Sequence, residues 1–111
     1  MTDAEMNALI AERIMNWHPS DVSSNWLDGA GKPQVSIFAW HPLTDPAQAL
    51  QALETFCAQG DGYLEQIALV DGPMWLVAIM VCSGGDMRAA NGEGSFCAAI
   101  CEALAKAVTH D

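Results

Sequence analysis

The side chains best suited to nucleophilic or metal chemistry are four cysteines and three histidines, and their spacing decides what they can do. Cys57, Cys82, Cys97 and Cys101 include no C-x-x-C pair, and Cys97 and Cys101 stand one helical turn apart. Without a secretory context, all four read as reduced thiols used as small core hydrophobes. His18, His41 and His110 form no H-x-x-x-H or H-E-x-x-H motif, so no metal site is expected. The carboxylate pairs Asp45 with Glu54 and Asp61 with Glu65 fall where helix caps and solvated faces put such groups. No G-x-S-x-G occurs. The glycine-rich stretch 83–94 lacks the G-x-x-x-x-G-K-S/T order and has Arg88 as its single base, so it reads as a flexible connection. Nothing fills the roles an active site requires, and no enzymatic activity, cofactor or metal is expected.

Charge is the stronger signal. Acids outnumber bases 14 to 4, for a net charge of −10 over 111 residues. Nucleic-acid binders draw most of their affinity from basic groups on phosphates, so direct DNA or RNA binding is excluded, as is docking on an anionic membrane. A surplus of acid is instead drawn to basic surfaces, the nucleic-acid grooves of other proteins among them. The start, Met1-Thr2-Asp3-Ala4-Glu5, is acidic where a secretory leader would be basic. The longest apolar run, Met74 to Cys82, is too short to span a bilayer. A cytoplasmic protein is expected, with residues 1–111 forming a single α+β domain around one core.

The elements that would position these groups follow from periodicity. Met6, Leu9, Ile10, Ile14 and Trp17 form an apolar stripe that predicts a helix over 3–17, with Thr2 or Asp3 as its cap and Pro19 as its stop. Residues 25–28 and 35–40 read as two strands of a hairpin turning at Gly29–Pro33. Asp45 followed by Pro46, with Gly60 beyond, predicts a helix over 46–59. Tyr63 to Val70 and Met74 to Cys82 are strands joined at Asp71-Gly72-Pro73. The second of them is apolar on both sides, which demands cover on both faces: helices on both, or a partner on one. The last helix, 95–109, is apolar nearly all round and therefore buried. The expected order is α-β-β-α-β-β-α with an antiparallel sheet. The tripeptide Trp-His-Pro occurs at 17–19 and at 40–42, where coincidence suffices as the account.

One set of residues carries a resemblance: Glu12-Arg13-Ile14-Met15-Asn16-Trp17, Trp26 with Asp28, Trp40-x-Pro42 with Asp45, then Ala49, Leu53, Gly60, Trp75 and Ala99-Ile100-x-x-Ala103-Leu104. In this order over nearly the whole chain, the sequence resembles the phage ABA-sandwich domain proteins, small proteins encoded by bacteriophages and prophages. The resemblance implies a three-layer α/β/α sandwich and brings no catalytic residues or cofactor.

Charge and resemblance together lead to the expectation of a small acidic phage-type interaction protein. Its expected action is to bind and inhibit a host protein complex with a basic surface. The concrete form is an anti-CRISPR protein, a nucleic-acid mimic blocking the groove of a CRISPR-Cas effector. The contacts expected to carry binding are Glu5, Glu12, Asp21, Asp28, Trp26, Asp86 and Glu93, acids for rapid encounter and an exposed aromatic for residence. Two alternatives stand beside it. One is a homo-oligomeric accessory or structural phage protein, a homodimer for example, packed through the small-residue side of the last helix (Ala98, Cys101, Ala105). The other is a nucleotide or small-molecule binder using the glycine-rich stretch. Scattered carboxylates and a Trp-lined cavity with aligned polar groups would favour a ligand-binding account instead.

Overall fold

The computed structural model describes residues 1–60, 62–83 and 85–109, so Asp61 and His110 lie outside the described residues, as does Gly84 of the glycine-rich stretch. The fold is α+β, with three helices and two antiparallel three-stranded sheets. In chain order the elements are α1 (Asp3–Leu9), a π-helical turn (Ile10–Ile14), β1 (His18–Pro19), β2 (Asn25–Leu27) and β3 (Pro33–Ser36). They continue with α2 (Pro46–Ala58), β4 (Gly62–Asp71), β5 (Met74–Ser83), β6 (Asp86–Gly94) and α3 (Phe96–Thr109). Each expected helix and strand has a counterpart, β1 and β6 join them, the helix expected over 3–17 passes from α to π at Ile10, and the strands form two sheets where one was expected.

Thr2 opens α1 with a capping box: its hydroxyl accepts from the Glu5 N–H at 3.1 Å while the Glu5 carboxylate accepts from the Thr2 N–H. The helical path continues through the π turn and ends at Asn16, whose φ of 59° is left-handed, a conformation Asn tolerates. Gln59, just past α2, donates from Nε2 to the Ile14 carbonyl at 2.7 Å and so satisfies that end.

The first sheet runs β1-β2-β3 and is short. Asp28 shapes its turn by accepting from the N–H groups of Ala30 and Lys32, each at 2.9 Å. The strand expected over 35–40 stops at Ser36. There the Ser36 hydroxyl accepts from the Phe38 N–H and its carbonyl from Ala39 and Trp40, turning the chain so that Trp40 enters the core. The two Trp-His-Pro segments meet: Trp17 and Trp40 are both buried and pack edge-on with centroids 4.8 Å apart. His18 and Pro19 are exposed, whereas Pro42 is fully buried.

α2 begins as its sequence predicts, with Asp45 Oδ1 accepting from Ala47 and Gln48. Gly60 follows it at φ 83°. The second sheet runs β4-β5-β6 with a tight turn at Gly72. Along β5, Val77, Ile79 and Val81 are buried under the helices, while Leu76, Ala78 and Met80 alternate with them toward the other face and stay half-buried. The glycine-rich stretch is corrected from a flexible connection to the strand β6 over Asp86–Gly94, and Gly92 within it has a packing reason. A Cβ on Gly92 would lie 2.0 Å from the Ala99 carbonyl oxygen and 2.7 Å from the Ala103 nitrogen, so β6 and α3 touch backbone to backbone. α3 is buried over most of its surface, as its composition predicts, against β5 and β6 on one flank and α2 and the π turn on another, with Glu102 and Lys106 left on the solvent side.

Candidate functional site

Three of the four bases are engaged within the fold. Arg13 donates to the Val108 carbonyl and Arg88 to the Ala107 carbonyl at 2.7 Å, so two guanidinium groups close the C-terminal end of α3. Lys106 pairs with Glu102 at 3.3 Å, the single ion pair among the described residues. Most of the acidic surface is therefore left without a compensating cation.

The expected contact residues fall on separate elements. Glu5 and Glu12 lie on the first helical segment, with the Glu5 carboxylate bonded to its own cap. Asp28 is half-buried and engaged in its turn, where Oδ2 also accepts from Gln34 Nε2 at 3.0 Å. Asp21 is exposed between β1 and β2, and Asp86 and Glu93 are exposed on β6. Trp26 requires a correction: expected as an exposed anchor, it is 5% exposed, because β2 is the central strand of its sheet and directs the indole into the core.

Two of the open places among the described residues bear on a partner or a ligand. The first is the outer face of the second sheet. The register gathers Tyr63, Gln66 and Ala68 of β4, Leu76, Ala78 and Met80 of β5, and Met87, Ala89 and Asn91 of β6 on that face, apolar but for Gln66 and Asn91 on either side of Ala78. Tyr63, Met74, Cys82 and Met87 are exposed there. Asp71 and Glu93 share the face, Glu65 sits at a bulge of β4, and no base belongs to it, since the Arg88 side chain turns back to α3. Cys82 is corrected from core thiol to exposed thiol. Cys97 and Cys101 are buried as expected. Burial, with the Asp45 carboxylate second, raises the Cys97 thiol; burial, with Cys97 second, pushes Cys101 up to about 12. Both are inert at neutral pH.

The second place is a cavity of about 330 Å³ between α1, β2 and the turn after β3. It is lined by Ala4, Asn7 and Ala8 of α1, by Trp26 of β2, and by Ile37, Phe38, Trp40 and His41 after β3. Trp40 is satisfied, its indole N–H donating to the Asn7 carbonyl at 2.9 Å. Trp26 Nε1 and Asn7 Oδ1 are buried without a hydrogen-bond partner. Each such group costs about 1–3 kcal/mol. Composition did not signal this site. The one hint is Asn7 beside Ala4, Ala8 and Ala11, a small-residue ridge with a polar member.

His41 faces the Thr44 hydroxyl at 3.2 Å, and among the described residues no group of three or more His, Cys, Asp or Glu is placed to hold a metal ion. Among them, too, no helix is long and apolar enough to cross a membrane. No family model, curated protein or solved structure matches the chain.

Proposed function

We propose that the chain is a non-enzymatic binding protein that docks, by the outer face of its second sheet, onto a protein surface carrying an apolar strip flanked by Lys and Arg. The observation that carries this reading is the doubly apolar β5, covered by helices on one side and by nothing comparable on the other. Three strands of about nine residues present on the order of 400 Å², the scale of a recognition patch. Charge selects the occupant. Asp71 and Glu93 stand on that face with no base beside them, so stacking two copies would set carboxylates against carboxylates, whereas a basic partner neutralises them.

In this reading the partner supplies the third layer of an α/β/α sandwich, and the setting is a phage protein acting in the bacterial cytoplasm. A CRISPR effector fits the chemistry, because its nucleic-acid groove is basic and lined by apolar stems of Lys and Arg. The test is retention of the chain by a purified effector complex at low and moderate salt. Capture that weakens with salt and is abolished by Met80→Lys supports the reading. No capture at either salt, or capture indifferent to Met80→Lys, removes it.

A further inference from the structure

The cavity between α1 and the first sheet belongs to neither the docking face nor the acidic surface, and it holds an unmet demand of a particular kind. Trp26 is 5% exposed and its indole can only donate; Asn7 Oδ1 can only accept; both are without partners. Both residues line the same space, and each orphan atom is shielded just behind its surface. The rest of the lining is aromatic or aliphatic, with His41 its single titratable member. Phe38 lines the same cavity and is 82% exposed, which marks it as the rim. A volume of about 330 Å³ is at the small end of ligand pockets.

We propose that this cavity binds a small, neutral, flat ring carrying an amide-type edge, one acceptor for the Trp26 N–H and one donor for Asn7 Oδ1. Flatness follows from walls built of Trp26, Trp40 and Phe38, which favour a ring in stacked or edge-on contact. Neutrality follows from a lining without Arg, Lys, Asp or Glu in a chain of net charge −10, where an anion would be repelled and a cation would find no fixed counter-charge in the site. The paired donor and acceptor follow from the two orphan atoms. In the ligand-free protein both are shielded from water, so a ligand reaches them by side-chain adjustment of the lining, the exposed Phe38 first.

The experiment titrates the ¹⁵N-labelled protein with 2-pyridone, uracil and caprolactam, following the tryptophan indole N–H resonances. N-methyl-2-pyridone is the control that keeps ring and acceptor but lacks the donor. The expected result is a saturable shift of the Trp26 indole N–H by at least one cyclic amide, with the Trp75 indole unmoved and binding of N-methyl-2-pyridone weaker by about tenfold. Asn7→Leu keeps the backbone carbonyl that receives Trp40, so the fold is retained, and it should erase that tenfold preference. Phe38→Ala, a change at an exposed position, should weaken all the rings alike. No saturable shift with any probe overturns the proposal. So does equal binding of the methylated ring, which would make the cavity a plain apolar void. So does a Trp26 N–H already protected from exchange without ligand and lost from protection in Asn7→Leu, which would show the two orphans paired with each other.

Discussion

The two sheets solve the same packing problem with opposite materials. The first, β1 to β3, has strands of 2, 3 and 4 residues and is fastened by large aromatics, Trp17, Trp26 and Trp40. Big rigid rings bury much area with few residues but cannot fill every corner, and each indole brings an N–H that needs an acceptor. The result is a cavity and one unsatisfied Trp. The second, β4 to β6, has strands of 10, 10 and 9 residues and is fastened to α3 by Gly92, Ala90, Ala99 and Ala103, small enough for backbones to touch. That contact is dense, yet it covers one face only. Aromatic packing thus leaves an opening inside the molecule, and small-residue packing leaves an open surface outside it.

The sharpest way to break this comparison is Gly92→Val. No rotamer removes a Cβ placed 2.0 Å from the Ala99 carbonyl oxygen, so α3 must lift from β6. A loss above about 3 kcal/mol is expected in denaturant unfolding. A loss below about 1 kcal/mol would mean that the helix–strand contact has slack and the contrast in density is unreal.

That strand also marks the limit of what the residues disclose locally. α2 was legible because its signals lie within its own ends: Asp45 bonds the first free N–H groups, Pro46 needs none, and Gly60 takes the positive φ. The β4–β5 hairpin was legible for the same reason, from Asp71-Gly72-Pro73. β6 was not, because Gly92 is glycine on account of a helix that follows it in sequence and crosses it in space. The strand expected over 35–40 ends at Ser36 because this small hydroxyl inside an apolar run turns the chain with side-chain bonds that β-propensity does not weigh. The acidic character was plain from composition, but the cavity depends on where α1 rests on β2, which no local pattern encodes. The need for cover on the far side of β5 was readable; the identity of the cover was not.

Within the aromatic half, Trp26 and Trp40 can be set against each other. Both are buried, and Trp→Phe removes the indole N–H and similar volume from each. Trp40→Phe also breaks the bond to the Asn7 carbonyl, whereas Trp26→Phe removes a donor that has no partner. Trp40→Phe should be the more destabilising by about 1–2 kcal/mol. Equal losses would show that the Trp26 N–H is satisfied in solution.

The thiols extend the comparison to α3. Cys101 is fully buried and its thiol is pushed up to about 12 from 9.0, burial being the main cause and Cys97 the second. Above pH 9.0 the unfolded chain gives up this proton and the folded chain keeps it, so its contribution to stability is intact below 9.0 and is lost as pH rises toward 12. By one unit above the unfolded value the loss is about 1.4 kcal/mol. Cys101→Ala should remove that part of the alkaline decline, measured as the difference between the two unfolding curves at neutral and alkaline pH. An alkylating reagent at neutral pH should modify exposed Cys82 rapidly and leave Cys97 and Cys101 untouched until the chain unfolds.

The smallest expected effect on stability is the most informative about the open face. Ile79 and Met80 are neighbours on β5, but the pleat sends Ile79 under α3, fully buried, and Met80 outward, half-buried between Tyr63 and Ala89. Ile79→Lys buries an unpaired charge and should unfold the protein. Met80→Lys places the same charge one residue away, where its stem lies along the sheet and its ammonium reaches water; its loss should stay under about 1 kcal/mol. If Met80→Lys unfolds the chain as Ile79→Lys does, the outer face is part of the core and something within the molecule already covers it. If it leaves the fold intact, the apolar residues on that face contribute little to holding the monomer together. Leu76, Ala78 and Met80 are then free for the docking role proposed above.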